Sequence, residues 1–267
     1  MSAYIFSAAA ATNVGKVRSN NEDNLFFDGK VLSSSENVQS RSFVIERFSV
    51  PKAFAVFDGM GGEKYGEKAS ELAAKAFKSI FKKISPKDSR DAILVRLNKF
   101  YTASNKSLSK FIKKRKVSSG TTAVILLLHS DGIVISNIGD SKAFRITSDK
   151  IEQVTEDHTI AETMVRAGAM SAEEAKNSKG AHALTRYIGA DEEEYDCQPF
   201  ICSDIEIEHN VWYLLCSDGL TDMLEPEEIK NIILKESRIE SKVNELISCA
   251  MRNGGKDNCT LILLSIQ

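Results

Sequence analysis

The sequence predicts an α+β fold, because its strand-like and helix-like segments fall in blocks instead of alternating along the chain. Three observations carry that reading. Two helical patterns with clear apolar faces follow one another after a glycine-rich segment at 58–66. The runs TTAVILLLH, GIVISNI and KAFRIT then succeed each other with only tight turns between them. A second pair of helical patterns precedes the closing run CTLILLSI.

The N-terminal MSAYIFSAAAATN is mildly apolar but lacks a basic start, which argues against a secretory signal. Gly29 to Ser42, GKVLSSSENVQSRS, is serine-rich and polar and predicts a flexible insertion. AFAVF, ending at Phe57, predicts a buried strand. A helix over about Tyr65 to Ile84 would place Ala69, Leu72, Ala73, Ala76, Phe77, Ile80, Phe81 and Ile84 on one face, with lysines opposite. The next helix is predicted to start near Pro86 and to run through Ile93, Leu97, Phe100, Leu108 and Phe111 to the basic KKRK at Lys113. That basic run is best explained as a solvated helix end, favourable against the C-terminal dipole.

TTAVILLLH, GIVISNI and KAFRIT are rich in β-branched residues and separated by Asp-Gly or Gly-Asp turns, which predicts an antiparallel meander. Thr155 to Gly189 is polar, alanine-rich and partly helical in pattern, an excursion from the sheet. VWYLLC is another buried strand. One helix should begin near Pro226, a residue suited to the first helical position. The other should run about Ser241 to Arg252 and stop at Gly254-Gly255.

Composition excludes several classes. The 267 residues are 42% hydrophobic and 27% charged, enough for one large domain with a sizeable core. A formal net charge of −2 gives no electrostatic case for nucleic acid or an anionic membrane. No apolar run approaches the roughly 18 residues of a membrane span. The five cysteines are odd in number and contain no C-x-x-C pair, so neither a disulfide framework nor a zinc site is expected. Several sit in apolar runs as core thiols do, which points to a reducing, cytoplasmic compartment.

The chemistry lies in a pattern that recurs. In AFAVFDGMGGEKYG a buried strand ends in Asp58 and is followed by three glycines. GIVISNI leads into Gly139-Asp140-Ser141, VWYLLC leads into Ser217-Asp218-Gly219, and GGK leads into Asp257-Asn258 before the last strand. Any single instance is explained by a turn or a cap. Four of them, with Glu22-Asp23 upstream, would set several acids at the mouth of one sheet. Carboxylates that close cannot all remain ionised without protons or cations. Oxygen donors without nearby Cys or His pairs select hard ions such as Mg²⁺ or Mn²⁺. One carboxylate bridging two ions about 4 Å apart can hold an activated water between them. The glycine after Asp58 would free the Gly59 carbonyl for metal and leave room for a substrate. Arg18, four residues before Glu22, offers a guanidinium fork for phosphate oxygens.

Eight segments together resemble the metal-dependent type 2C protein phosphatases. They are Arg18-x-x-Asn21-Glu22-Asp23, Phe57-Asp58-Gly59-Met60-Gly61-Gly62, Ser119-Gly120-Thr121-Thr122-Ala123, Asn137-Ile138-Gly139-Asp140-Ser141, Thr155-x-Asp157-His158, Leu184-Thr185-Arg186-x-x-Gly189, Cys216-Ser217-Asp218-Gly219-Leu220 and Lys256-Asp257-Asn258-Cys259-Thr260. They stand in that family's order from about Gly15 to Leu264, and the DGMGG segment resembles its bacterial branch.

The resemblance implies a central sandwich of two antiparallel sheets with helices on both outer faces, in one domain over 1–267. It implies a serine/threonine phosphoprotein phosphatase that cleaves the phosphomonoester in one step with metal-activated water. It assigns Asp58, Asp218 and Asp257 to one Mn²⁺ or Mg²⁺ ion, and Glu22, Asp58 and the Gly59 carbonyl to a second. Asp140 with Asp218 would serve a third. Asp23 would order water, Arg18 would hold the phosphate, and Thr155 to Gly189 would contain a flap beside the site. The expected partners are phosphorylated proteins, substrates of a serine/threonine kinase, acted on by a monomer with neither nucleic acid nor membrane insertion.

One position departs from the pattern. Some relatives carry histidine after the Asp-Gly pair, where it can protonate the leaving alcohol; here it is Met60, which has no transferable proton. His158 and His182 are the available candidates for that proton, and each is expected to be structural. Rival readings fit less well. A P-loop fails because Glu67 stands where lysine is required. An inactive phosphoprotein-binding domain would have lost a ligand, and a calcium-stabilised structural protein would not need Arg18.

Overall fold

Runs such as AVILLLH and CTLILLSI lack polar alternation because each becomes a strand covered on both faces. The computed structural model describes residues 4–34, 39–61, 65–82, 84–176, 178–191 and 197–267. One six-stranded antiparallel sheet has the order β11 (Ile151–Gln153), β10 (Lys142–Ile146), β13 (Val211–Cys216), β14 (Cys259–Ile266), β1 (Phe6–Asn13) and β4 (Ser40–Phe48). The other has the order β12 (Phe200–Ile205), β9 (Gly132–Ile138), β8 (Ala123–His129), β5 (Lys52–Phe57), β2 (Asn24–Phe27) and β3 (Lys30–Val31). A small pair, β6 (Gly59–Gly61) with β7 (Ser119–Thr121), extends from the mouth of the second sheet.

Side-chain alternation divides the apolar residues among three cores. Phe54, Val56, Val124 and Leu126 meet Tyr213, Leu215, Ile262 and Leu264 between the sheets. Ala55, Phe57, Ile125 and Leu127 point the other way, onto α1 (Gly66–Phe81) and α2 (Arg90–Arg115). Leu214, Cys216, Leu261 and Leu263 face α6 (Pro226–Leu234) and α7 (Ile239–Arg252). The result is four layers, with helices outside both sheets, as the family resemblance implies. No described helix is long and apolar enough to cross a membrane.

Three expectations are revised. GIVISNI and KAFRIT do not continue one meander: β9 pairs with β8 and β12, whereas β10 pairs with β13 and β11 in the opposite sheet. The intervening Gly139, at φ +97°, turns the chain from one sheet to the other. The expected insertion over Gly29 to Ser42 contains β3 and the start of β4 within its described part, while 35–38 lie outside the described residues. α2 starts at Arg90, not near Pro86, because the Asp88 carboxylate accepts from Ser85 N at 2.9 Å and closes a turn there. Ser89 then caps the helix by accepting from Ala92 N at 3.3 Å. The N-terminal alanines form β1, an inner strand between β14 and β4 that feeds two cores.

Other readings hold. Tyr65 caps α1, and α2 ends with Lys113, Lys114 and Arg115 in its last turn, where their charge complements the exposed carbonyls. Pro226 opens α6, and Gly254 and Gly255, both at positive φ, follow α7. Thr155 to Gly189 carries two short helices, α3 (Ile160–Arg166) and α4 (Ala172–Lys176).

Phe77 anchors the α1–α2 layer, with Phe26 at 5.0 Å and Phe100 at 5.3 Å edge-on and Phe81 at 4.4 Å. Phe77→Ala is expected to cost about 3–5 kcal/mol of stability, since the rings of Phe26, Phe57, Phe81 and Phe100 border the void and cannot all collapse into it. Urea unfolding measures this; a loss under about 1 kcal/mol would show that the layer is not close-packed there.

Candidate active site

Every predicted acid lies at the same end of the sandwich. Asp58 follows the last residue of β5, and its backbone is clamped from both sides. Asp58 N donates to Thr122 Oγ1 at 3.0 Å, while its carbonyl accepts from Thr122 N at 2.8 Å and Thr121 Oγ1 at 2.9 Å. The Glu22 segment is stitched alongside: Gly59 N and Ser70 Oγ donate to the Glu22 carbonyl at 3.2 and 2.6 Å. Glu22 N donates to Asn258 Oδ1 at 2.7 Å, and Asn258 Nδ2 donates to the carbonyls of Val14 and Asn20. Asn258, quoted in the sequence pattern without a role, thus joins the segment bearing Glu22 to the one bearing Asp257.

The glycines serve this close approach. A Cβ on Gly59 would lie 2.1 Å from the Gly66 carbonyl oxygen and 2.5 Å from that of Glu22. A Cβ on Gly66 would lie 2.6 Å from the Glu22 carboxyl carbon. Gly59 is therefore required first by the meeting of three backbone segments. Room for a substrate is not what its missing side chain provides.

The remaining acids come from strand ends. Asp218 opens α5 (Asp218–Thr221) directly after β13, Asp257 precedes β14, and Asp140 follows β9. Asp23 is 3% exposed; its Oδ2 accepts from Ser217 Oγ at 2.8 Å, and its Oδ1 has no hydrogen-bond partner. Burial pushes the Asp23 carboxyl up to about 7, with the charges of Asp218 and Asp257 adding to it. Burial pushes Glu22 to about 7, helped by Glu67. Asp140 rises to about 7 through burial and the Asp218 charge. Loss of solvation pushes the Asp58 carboxyl well above its ordinary range, with the charges of Asp23, Asp218, Asp140 and Asp257 adding to it.

Positive charge is scarce beside them. Arg18 Nη2 donates to Asp257 Oδ2 at 2.7 Å, with 54% of its side chain exposed. Lys142 is partly buried and engaged in an ion pair with Asp157. An oxygen-rich, largely buried donor set, short of cations and carrying an orphaned carboxylate oxygen, fits hard divalent ions.

Two residues went unassigned by sequence. His182, expected to be structural, places Nδ1 3.4 Å from Asp218 Oδ2 and Nε2 3.7 Å from Asp222 Oδ2. Its contact with Asp218 and the Asp222 charge push its imidazole up to about 9. Asp222 itself rises to about 6 through burial and Asp218. No local pattern marks either: Asp222 sits one turn beyond Asp218, and His182 arrives from the excursion. His158 holds a structural position, as expected. Its Nδ1 accepts from Gly139 N at 3.1 Å, and burial lowers its pKa to about 4.

The protein phosphatase 2C family profile matches residues 9–259. The serine/threonine phosphatase stp of Listeria innocua is 31% identical over 258 residues, covering 95% of this chain and 93% of the relative. The structure of serine/threonine phosphatase Stp1 from Staphylococcus aureus superposes with a TM-score of 0.78 at 30% identity, covering 97% of this chain and 94% of that one. The catalytic domain of the serine/threonine phosphatase PstP, solved in complex with two manganese ions, gives a TM-score of 0.77 at 25% identity over 99% of each chain.

The raised carboxyls set a pH dependence. Glu22, Asp23 and Asp140 sit near 7, above ordinary values of 4.5, 3.8 and 3.8. Between those values and pH 7 the folded chain keeps protons that the unfolded chain has released. Stability in EDTA should therefore fall as pH rises from about 4 to about 7, then level off with respect to these groups. Saturating Mn²⁺ should remove most of that fall. Urea midpoints across the range test it, and a steady rise in EDTA would contradict the buried-acid geometry.

Proposed function

Because the chain belongs to the protein phosphatase 2C family of serine/threonine phosphatases, we propose that its acidic mouth is a divalent-metal centre that hydrolyses phosphoserine and phosphothreonine in proteins. The observation that carries this reading is the gathering of Glu22, Asp23, Asp58, Asp140, Asp218 and Asp257, from five separate places in the chain, into one partly buried cluster with too few cations. Asp58, Asp218 and Asp257 would hold one ion, and Glu22, Asp58 and the Gly59 carbonyl a second, with Asp58 shared. Asp140 and Asp218 would hold a third. The two manganese ions of the PstP complex support Mn²⁺, and oxygen donors also suit Mg²⁺. When bound, such ions polarise phosphoryl oxygens and lower the pKa of water.

The chain's own residues supply the rest. Arg18 is anchored to Asp257 through one nitrogen and remains half exposed, so its other donors can take non-bridging phosphoryl oxygens as a planar fork. Asp23, with Oδ2 fixed by Ser217 and Oδ1 unpartnered, presents one acceptor to orient a water and take up its proton. Neither cysteine beside the acids competes as nucleophile: burial pushes the Cys216 thiol up to about 12 and that of Cys259 well above its ordinary range. Transfer directly to water, without a phosphoenzyme, follows. Met60 packs over Gly120 and offers no proton to the leaving oxygen, so an alcohol must be protonated from solvent or from another group.

The Thr155–Gly189 excursion would act as the flap within a single 1–267 domain. Free cysteines with no disulfide among the described residues accord with a cytoplasmic enzyme. A monomer acting opposite a serine/threonine kinase completes the proposal.

Hydrolysis of p-nitrophenyl phosphate is expected to stop in EDTA and return with Mn²⁺ or Mg²⁺. Asp218→Asn should lower kcat at least about 100-fold with the circular dichroism spectrum retained. Unimpaired turnover in that variant would remove Asp218 from the centre. Arg18→Ala should chiefly raise KM for phosphoester, by about 10- to 100-fold, the worth of a charge-assisted hydrogen bond. A kcat loss at unchanged KM would mean that Arg18 acts on the transition state alone.

A further inference from the structure

We propose that His182 is a metal ligand, closing a mixed nitrogen–oxygen site with Asp140 and Asp218 that prefers a transition-metal ion such as Mn²⁺ to Mg²⁺. The inference rests on the phosphatase reading and adds to it a ligand delivered by the excursion. One ligand atom from each of these three residues lies within 4.8 Å of the others. Two donors on one ion, each at about 2.1–2.2 Å, stand about 3–4.4 Å apart, so small side-chain adjustments bring all three onto a common ion.

His182 pairs loosely with Asp218 and Asp222, and an ion bound among these side chains would take the place of its proton. The His182 nitrogens stand 3.4 and 3.7 Å from Asp218 and Asp222, beyond the 2.7–2.9 Å of a charge-assisted hydrogen bond. Asp140 is only 7% exposed, and among the described residues no other side chain donates to its carboxylate. The nearest lysine, Lys142, is held by Asp157. A buried carboxylate thus points into a space whose other walls are an imidazole and a second carboxylate.

His182 is also held in place by backbone. Ile160 N donates to the Ala183 carbonyl at 2.9 Å and Ala161 N to that of Gly180 at 3.2 Å, so its turn is fastened to the start of α3. Its side chain is 59% exposed, on the open side of the cluster. An ion bound there would tie the excursion to the end of β13. Imidazole is a softer donor than carboxylate, which sets this position apart from the all-oxygen sites around Asp58.

The test uses the full chain and manganese alone. Electron paramagnetic resonance counts bound Mn²⁺ during titration, and electron spin-echo modulation detects ¹⁴N on the metal. With three equivalents bound, the wild type should show ¹⁴N modulation. His182→Ala should lose it, with third-ion affinity about tenfold lower and the two tighter ions unchanged. The half-exposed turn position makes folding of this variant a safe requirement, checked by circular dichroism. A third ion that never binds, a third ion without nitrogen coupling, or a coupling that survives His182→Ala each overturns the assignment. Should no manganese bind at any loading, the phosphatase centre itself falls as well; two bound ions with metal-dependent turnover but no nitrogen coupling sink only the role of His182.

Discussion

Six carboxylates share one mouth of the sandwich, and their mutual repulsion in a poorly solvated space governs how that mouth is built. Burial raises the carboxyls of Glu22, Asp23, Asp58 and Asp140, and neighbouring carboxylate charges raise them further. Protons can neutralise such a cluster at low pH, and divalent cations can do so near neutrality. The surrounding structure must tolerate this repulsion without spreading apart, which explains the density of backbone clamps around it. Gly59 N on Glu22 O, Thr122 N on Asp58 O and Ser217 N on Thr260 O each lock one acid-bearing segment to a different strand.

These clamps depend on the two-sheet scaffold. Residues facing between the sheets fix the spacing of β5, β13 and β14, so the turns after β5 and β13 and the turn before β14 emerge side by side. Close approach then demands small residues. A methyl group at Gly59 or Gly66 would strike backbone or the Glu22 carboxylate, which would move an acid to make room for packing. Asn258 does the converse, filling a gap with three hydrogen bonds that no apolar side chain could supply. The Thr155–Gly189 excursion is tied to the core at both ends, through Thr155, Glu156, Asp157 and His158 on one side and Ile188 and Gly189 on the other. His182 reaches the acids from this excursion.

Much of the architecture was legible where local periodicity and capping agree with the tertiary outcome. α1, α6 and α7 show their buried faces in sequence because one stripe of each meets one core. β8, β13 and β14 show as continuous apolar runs because they are covered twice. The failures share a cause. β1 is alanine-rich and β4 largely exposed, so neither carries the β-branched signature by which strands are recognised. The β9–β10 connection has the length of a hairpin, and nothing local states that it crosses between sheets.

Sequence by itself determined the acids, their placement at strand ends, and the chemistry they could share, because a carboxylate after a buried run has few uses and several in one order have fewer. The tertiary structure decided which backbone segments touch, why Gly59 and Gly66 must be glycine, and that His182 and Asp222 join the cluster. Those facts depend on distances between residues remote in the chain, and such distances are set by packing of the two sheets, to which no local pattern has access.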